Sequence, residues 1–323
     1  MLSEDRLSEE ESWGTPLQAS PRLLHDLLGR SERGMRLWAP SLVALDARRS
    51  LPVHAGVVGD PVEVDRLGLL ERTIVVAVDV ATGRTQALRV GKSSGRETLA
   101  PAPGFEGGLG PTTGVLAAQV ARFVLWDTSA SAAWRAGHYR LTALAANHAS
   151  NDVLVELIRS TKTVDPAVRD GHGLEGALQV WPQPDPAGGL PRYDAAGSSV
   201  SPPSEPGVVL ATERVATVRA GATCPLHGAV RAARRDVYRA RHGAVIPVTL
   251  VITGTETAGP LVVPLCIPSF DRDDGSGDTG LTARFAVDLF RLAELTASPQ
   301  TYLVYAFTAD GHTGPHPIAV VAD

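Results

Sequence analysis

Histidines and a cysteine are the first candidates for chemistry in this sequence. His54 and His227 occupy matching positions, in the runs Leu51-Pro52-Val53-His54 and Cys224-Pro225-Leu226-His227. A histidine can bind a metal or transfer a proton, and Cys224 with His227 has ligand-like spacing. The first run lacks the cysteine, however, and no second ligand follows both histidines at a shared spacing. The pattern therefore favours two structural histidines and a buried free thiol at Cys224.

An acidic loop is the candidate metal site. Four carboxylates lie close together among glycines in residues 271–278: Asp271, Asp273, Asp274 and Asp278. Hard oxygen ligands on a flexible loop suit calcium. The run is not an EF-hand, because Thr282 stands where that loop requires a glutamate. The sequence leaves open a calcium site here, against an ordinary solvated loop between two strands.

Two short motifs resemble catalytic signatures but lack the context that those signatures need. Residues 91–95 (GKSSG) match G-x-S-x-G, yet prolines and glycines follow where a nucleophile elbow requires a helix. The same fragment is not a phosphate-binding loop, because Gln86 stands where the first glycine is required. An enzyme stays open only if its residues converge from distant loops. The candidate cluster is then His54, His138, His148 and Asp127.

The elements that would position these residues occur twice along the chain. Residues 42–91 align without a gap on residues 215–264. Near the end of each repeat, residues 137–143 (GHYRLTA) match residues 300–306 (QTYLVYA). A chain of 323 residues is long enough for two domains that each bury a core. The sequence therefore predicts two tandem domains, duplicated and diverged.

Short apolar runs separated by turn signals predict that both halves are all-β. In the first half the predicted strands cover residues 37–45, 53–58, 73–80, 85–90, 115–126, 138–145 and 153–157. In the second half they cover residues 215–218, 245–253, 261–267, 281–292, 302–308 and 318–321. Ala81-Thr82-Gly83-Arg84 predicts a hairpin. Pro247 and Pro264 predict strand starts, edges or bulges, because proline cannot donate to a strand ladder.

The remaining segments divide the chain into four parts. We expect a tail with a short helix at residues 1–34, β-sandwich domains at residues 35–158 and 207–323, and a Pro/Gly-rich linker at residues 159–206. Trp181 in the linker favours partial docking, since a tryptophan is costly to leave in water.

The run Gly137-His138-Tyr139-Arg140-Leu141 resembles the penultimate strand of immunoglobulin-like and fibronectin-III-like sandwiches. The resemblance implies that Tyr139 and Tyr302 brace the corner leading into that strand. The second repeat departs from the pattern with Gln300 in place of the glycine, and neither repeat has the Cys…Trp…Cys core of antibody domains. The resemblance implies architecture alone, because sandwiches support many unrelated functions.

Composition restricts the class of partner. The net charge of −5 argues against general nucleic-acid binding, which requires a basic surface. With 44% apolar and 20% charged residues, the chain is expected to fold. No secretory signal and no apolar run long enough to span a membrane is visible. We expect a cytoplasmic protein, with export by a leaderless route left open.

Three sets of residues are candidate contact surfaces. The leucines of the predicted helix share one face: Leu23, Leu24, Leu27 and Leu28. The second repeat carries a basic stretch: Arg231, Arg234, Arg235, Arg239 and Arg241. The matching stretch of the first repeat is acidic: Asp60, Glu63 and Asp65. A head-to-tail contact between the basic and acidic stretches would build rings or filaments.

The function expected from these observations is non-enzymatic. The chain is interpreted as a structural or adaptor subunit that binds protein partners or further copies of itself, without a cofactor. A calcium-dependent or carbohydrate-binding module is the first alternative. An enzyme with a site assembled from distant loops is the second.

Overall fold

The computed structural model describes a protein built almost wholly of β-strands. It describes residues 34–39, 41–45, 52–59, 73–89, 97–98, 120–127, 134–145, 147–159, 179–182, 200–212, 215–218, 223–233, 245–254, 260–269, 281–292 and 299–322. The chain divides into two compact units. Unit 1 comprises Met1–Val76 and Leu88–Val180, and unit 2 comprises Ala77–Ala87 and Trp181–Asp323. The domain and linker boundaries drawn from the sequence, and the N-terminal helix, stay predictions.

The first eleven strands form two sheets. They are β1 (Gly34–Trp38), β2 (Leu42–Leu45), β3 (Pro52–Gly59), β4 (Ile74–Asp79), β5 (Thr85–Arg89), β6 (Glu97–Thr98), β7 (Val120–Asp127), β8 (Gly137–Ala145), β9 (His148–Ala149), β10 (Val153–Arg159) and β11 (Gln179–Pro182). One sheet has the order β1-β3-β7-β6. The other has the order β11-β5-β4-β8-β10-β2, with β9 paired to β8.

The remaining strands form two further sheets in unit 2. They are β12 (Gly207–Thr212), β13 (Val215–Val218), β14 (Pro225–Ala232), β15 (Val245–Gly254), β16 (Leu261–Pro268), β17 (Leu281–Asp288), β18 (Gln300–Phe307) and β19 (His312–Ala322). A short helix, α1 (Leu289–Leu292), follows β17. The sheets have the orders β12-β14-β17 and β13-β19-β18-β15-β16.

The two sets of sheets share one strand order. The order β1-β3-β7 matches β12-β14-β17, and β2-β10-β8-β4-β5 matches β13-β19-β18-β15-β16. In both sets the second strand has one parallel neighbour, which is β10 for β2 and β19 for β13. The other strand pairs with a described register are antiparallel. Antiparallel sheets of this kind are compatible with a β-sandwich.

The core of unit 2 lies between its two sheets. Inward-facing residues alternate along the strands, as Ile246, Val248, Leu250 and Ile252 do on β15. The buried side chains of β14 and β17 belong to the same cluster, with Phe285 among the largest. Cys224 is buried in this core as a thiol outside any disulfide bond, as the sequence predicted.

Two predicted strands differ from the strands in the structure. The run at residues 37–45 is not one strand, because β1 and β2 belong to different sheets. The run at residues 281–292 ends as a strand at Asp288 and continues as α1. The Oδ1 atom of Asp288 accepts a hydrogen bond from the backbone N–H of Phe290 at 3.1 Å. A carboxylate in this position caps the first turn of a helix, so the aspartate stops the strand.

The hairpin predicted at residues 81–84 connects β4 and β5. The Oδ1 atom of Asp79 accepts hydrogen bonds from the backbone N–H groups of Ala81 and Thr82. Gly83 completes the turn with φ of +68°, a value that favours glycine. This tip belongs to unit 2, where Val80 packs against the core. A Cβ at Gly83 would lie 2.8 Å from Cβ of Pro247, so the glycine also allows close approach.

The two larger sheets differ at one edge. In the first, β11 pairs with β5, so the segment that contains Trp181 adds a strand to this sheet. The counterpart of β5 in unit 2, β16, is the outermost strand of its sheet among the described residues. β16 contains Pro264 and Pro268, which remove donors from the strand and discourage a further strand from pairing there. Among the described strands Pro264 therefore lies at an edge, one of the three settings predicted for it.

An aromatic corner leads into β8. Trp134 is fully buried and packs edge-to-face on Tyr139, with ring centroids 5.0 Å apart. The Tyr139 hydroxyl accepts a hydrogen bond from the backbone N–H of Arg135 at 3.3 Å. At the equivalent position of unit 2, the Tyr302 hydroxyl accepts from Nε2 of Gln300 at 2.7 Å. The glutamine that replaces the glycine of the first repeat thus supplies a side-chain donor.

Candidate functional site

Most residues predicted to bind a partner or a metal lie outside the described residues. They are Leu23, Leu24, Leu27 and Leu28, then Asp60, Glu63 and Asp65, then Arg234, Arg235, Arg239 and Arg241, and finally Asp271, Asp273, Asp274 and Asp278. Their roles in protein contacts and calcium binding stay predictions. In the described part of the chain, no group of three or more His, Cys, Asp or Glu residues could hold a metal ion. In that same part, no helix is long and apolar enough to cross a membrane.

Arg231 is the member of the basic stretch that the structure describes. It lies on β14 opposite Gly207 of β12 and Thr282 of β17. Its Nε atom donates a hydrogen bond to the carbonyl oxygen of Pro203 at 2.8 Å. The guanidinium therefore helps to hold the segment that enters β12, and its predicted role in a charged contact stays a prediction.

The structure places Cys224 and His227 on opposite sides of a sheet. Cys224 is buried in the core of unit 2, and its backbone N–H donates to Oδ1 of Asp288 at 2.9 Å. His227 lies on the opposite face of β14, where its cross-strand neighbours are Ala211 and Ala286. Alternate residues of a strand point to opposite faces. The residues beside His227 thus supply no second ligand.

The candidate catalytic cluster is brought together only in part. His54 lies on β3 in the sheet β1-β3-β7-β6, opposite Trp38 and Leu125. Asp127 lies on the neighbouring strand β7 opposite Pro52, two positions from His54 along the register. His138 lies in the other sheet of unit 1, near the start of β8, whereas His148 pairs with the end of β8. The histidines are therefore divided between two sheets and between the two ends of one strand.

Exposed apolar side chains mark a different site. Four large apolar side chains are exposed in the described residues: Leu42 (44%), Leu154 (56%), Ile158 (39%) and Val321 (41%). Leu42 lies on β2, and Leu154 and Ile158 lie on β10, its parallel neighbour. Val321 lies opposite Thr217 of β13, and Ile158 lies opposite Ala44 of β2. Val321 is therefore the counterpart of Ile158 in unit 2. All four side chains therefore lie on equivalent strand pairs of the two units.

The register of β8, β10 and β2 defines one outward face in unit 1, which we call the β10 face. Its residues are His138 and Arg140 of β8, Leu154, Glu156 and Ile158 of β10, and Leu42 of β2. Residues directly opposite in neighbouring strands share a face, and so do alternate residues within a strand. The inward-facing residues between them, Val155 and Leu157, are buried.

Glu156 lies at the centre of the β10 face. Leu42 is its neighbour on β2 and His138 its neighbour on β8. The Nε2 atom of His138 lies 3.9 Å from Oε2 of Glu156, and both side chains are exposed, at 67% and 47%. An exposed pair of this kind contributes little to stability. Its groups are therefore available to a partner at little cost to the fold.

Arg140 at one end of the face is held in place. Its Nη1 atom lies 3.1 Å from Oδ2 of Asp152, and both side chains are mostly buried. The other carboxylate oxygen accepts a hydrogen bond from the Thr142 hydroxyl at 2.6 Å. Because its charge is paired within unit 1, the arginine presents chiefly its apolar stem beside Leu154.

The equivalent face of unit 2 carries no charged residue at the corresponding positions. Thr301 and Leu303 stand in the places of His138 and Arg140. Pro317 and Ala319 stand in the places of Leu154 and Glu156. The apolar character is thus common to both units, and the acid–base pair is specific to unit 1.

Sequence reasoning missed these residues, although β10 carries a signal. Its sequence, VLVELIR, has apolar residues in both alternating phases except at Glu156 and at the last residue, Arg159. A strand exposed on one side is expected to alternate apolar and polar residues, whereas apolar residues in both phases indicate that both faces are covered. The apolar run predicts the strand, and its lack of alternation is the signal that points to a second covered face.

Two titratable groups in unit 2 are shifted by burial. Burial raises the pKa of Tyr305 above its ordinary value, so its phenol stays neutral. Burial lowers the pKa of His316 below its ordinary value. His316 lies opposite Val304, a core residue, and its Nε2 atom lies 3.4 Å from the Thr313 hydroxyl.

Acidification is therefore expected to destabilise unit 2 through His316. The unfolded chain binds this proton near pH 6.5 and the folded chain only at lower pH, so unfolding is favoured as the pH falls below about 6.5. The stability that the neutral His316 side chain provides is fully present above that pH. One proton changes the free energy of unfolding by at most about 1.4 kcal/mol per pH unit. Urea unfolding of the wild type and of His316→Gln across this range measures it. An equally steep pH dependence in the variant would assign the effect to other groups.

No protein-family model matches this sequence, and no curated protein is similar to it. The class that the structure itself defines is a protein of mostly antiparallel β-sheets, compatible with a β-sandwich, with an apolar outward face on an equivalent strand pair of each unit.

Proposed function

We propose that this protein is a non-enzymatic structural or adaptor subunit that acts through protein–protein contacts. One observation carries the proposal: the exposed large apolar side chains in the described residues lie on the equivalent strand pairs β2–β10 and β13–β19. Single exposed apolar residues are common on protein surfaces, but clustered ones mark contact sites. Their recurrence at equivalent positions supports a role shared by both units.

The proposal includes an architecture of two immunoglobulin-like sandwiches related by duplication. The common strand order supports it, as does the parallel pairing of β2 with β10 and of β13 with β19. The hydrogen bond from the Arg135 N–H to the Tyr139 hydroxyl supports it too, because a tyrosine corner uses its hydroxyl in this way. The sandwich domains would then cover residues 35–158 and 207–323.

Charge contrast supplies a second proposed contact. The basic stretch at residues 231–241 begins near the end of β14, and the acidic stretch at residues 60–65 follows the equivalent strand β3. A basic stretch on one copy that meets an acidic stretch on another would link copies head to tail.

Light scattering of the native protein at low and high ionic strength tests the proposal. We expect a mass above that of a single chain at low ionic strength, and a smaller mass at high ionic strength, where exposed charges are screened. A mass that salt does not change contradicts the charged contact. A second measurement passes a native cell extract over the immobilised protein and asks whether any partner is retained. A single-chain mass at both ionic strengths, together with no retained partner, contradicts the proposed function.

A further inference from the structure

We propose that two copies of this chain dock through their β10 faces to form a two-fold symmetric dimer. The inference rests on the proposed function, in which the chain works through protein–protein contacts. It adds the partner, which is a second copy, and the residues that select it.

The apolar side chains of the β10 face account for the affinity. Leu42, Leu154 and Ile158 surround Glu156, and all three are substantially exposed. Removing apolar area from water contributes roughly 25 cal/mol for each Å² buried. A side chain such as Leu154, at 56% exposure, therefore gains from any partner that covers it.

The charges of the same face point to a second copy as the partner. The face presents one carboxylate, Glu156, and one imidazole, His138, on neighbouring strands at the same level of the register. A two-fold axis that runs parallel to the strands between β8 and β10 exchanges the two strands. It therefore sets Glu156 of each copy against His138 of the other. Leu154 of each copy then covers the apolar stem of the other copy's Arg140, which is paired with Asp152 and needs no new counterion.

The corresponding face of unit 2 does not fit this partner. Thr301 and Ala319 stand at the positions of His138 and Glu156. A face without charge would take the carboxylate of Glu156 out of water and offer it no partner beyond His138 of its own chain, which is unfavourable. The self-complementary pairing is thus restricted to unit 1.

The first experiment introduces a carboxylate into the centre of the contact. Leu154→Asp is expected to raise the dimer dissociation constant about 100-fold or more. Ala211→Asp is the matched control, because it adds the same group at an exposed strand position of unit 2. Sedimentation at high ionic strength measures both, and circular dichroism shows whether each variant is folded. A dimer that persists in a folded Leu154→Asp variant would overturn the proposal.

The second experiment exchanges charges between copies. His138→Glu sets carboxylates against each other across the two-fold axis, and Glu156→Lys removes the carboxylate that meets His138, so each variant alone is expected to bind itself at least about tenfold more weakly. In a mixed dimer the carboxylate introduced in one variant meets the ammonium introduced in the other, and the unchanged Glu156 meets the unchanged His138. Within one chain neither variant can regain its pair, so only a contact between copies predicts recovery on mixing. Failure of the mixture to dimerise, while the wild type does, would overturn the arrangement.

Val321→Asp separates this inference from the broader proposal. An unchanged dimer assigns the contact to unit 1, as we infer. A loss as large as that of Leu154→Asp would overturn the two-fold arrangement and leave the proposed function standing. If the wild type self-associates only at low ionic strength and Leu154→Asp has no effect there, the charged contact stands and the β10 dimer does not.

Discussion

Replacing Gly228 with alanine is expected to lower the free energy of unfolding of unit 2 by about 3 kcal/mol. Gly228 lies on β14 directly opposite Phe285 of β17. The Phe285 ring is fully buried and covers the glycine so closely that an added Cβ would lie 2.2 Å from Cζ of the ring. The ring would have to move within a packed core, and overpacking of this kind is costly because little free volume is present. Denaturant unfolding followed by circular dichroism measures the loss.

Gly311→Ala is the matched control in the same unit. A Cβ at Gly311 would meet no atom within 4 Å, so its effect should stay within about 0.5 kcal/mol. Phe285→Leu combined with Gly228→Ala supplies a second check. The smaller side chain makes room for the new methyl group, so the double variant should lose less stability than the two single variants together. Equal losses for Gly228→Ala and Gly311→Ala would contradict the close packing of the ring on the glycine.

Much of the strand pattern could be predicted from the sequence, because local signals decide it. The turn residues Asp79 and Gly83 give the hairpin between β4 and β5, and the apolar runs give the buried strands. The ends of some runs could not be predicted in this way. The residues after Asp288 have the composition of a strand, but the aspartate caps a helix there through its bond to the Phe290 N–H. The same oxygen also accepts a hydrogen bond from the backbone N–H of Cys224, a contact that depends on the pairing of β14 with β17.

The candidate site was less predictable than the fold, because its residues come from strands that are distant in the sequence. Leu42 and Glu156 become neighbours through the parallel pairing of β2 with β10. Hydrophobic periodicity within one strand says nothing about which strand lies beside it. The apolar residues in both phases of β10 indicate that both faces of this strand are covered. Which residues of β2 and β8 lie beside them still depends on the register of the sheet. The paired histidines His54 and His227 stand out in the sequence because they recur, yet recurrence in a strand also follows from shared architecture.

Replacing Trp134 with alanine is expected to destabilise unit 1 by about 4 kcal/mol. Trp134 is the largest fully buried side chain in the described residues, and its removal leaves a cavity that the surrounding strands cannot close. It also removes the edge-to-face contact with Tyr139, in which the rings lie at 84° and which contributes about 1 kcal/mol beyond area burial. Calorimetry or denaturant unfolding measures the change.

Tyr139→Phe separates the ring from the hydroxyl at the same corner. It keeps the aromatic contact and removes the acceptor for the Arg135 N–H, so a loss of about 1 kcal/mol is expected. A loss from Trp134→Ala no larger than that from Tyr139→Phe would contradict the buried position of the tryptophan.

Tyr139 points inward between His138 and Arg140, which point outward to the β10 face. Trp134→Ala should therefore also weaken dimerisation in the conditions where unit 1 is still folded, because the corner that it supports fixes the start of β8. Tyr139→Phe should leave dimerisation nearly unchanged, since the ring that holds the strand in place remains.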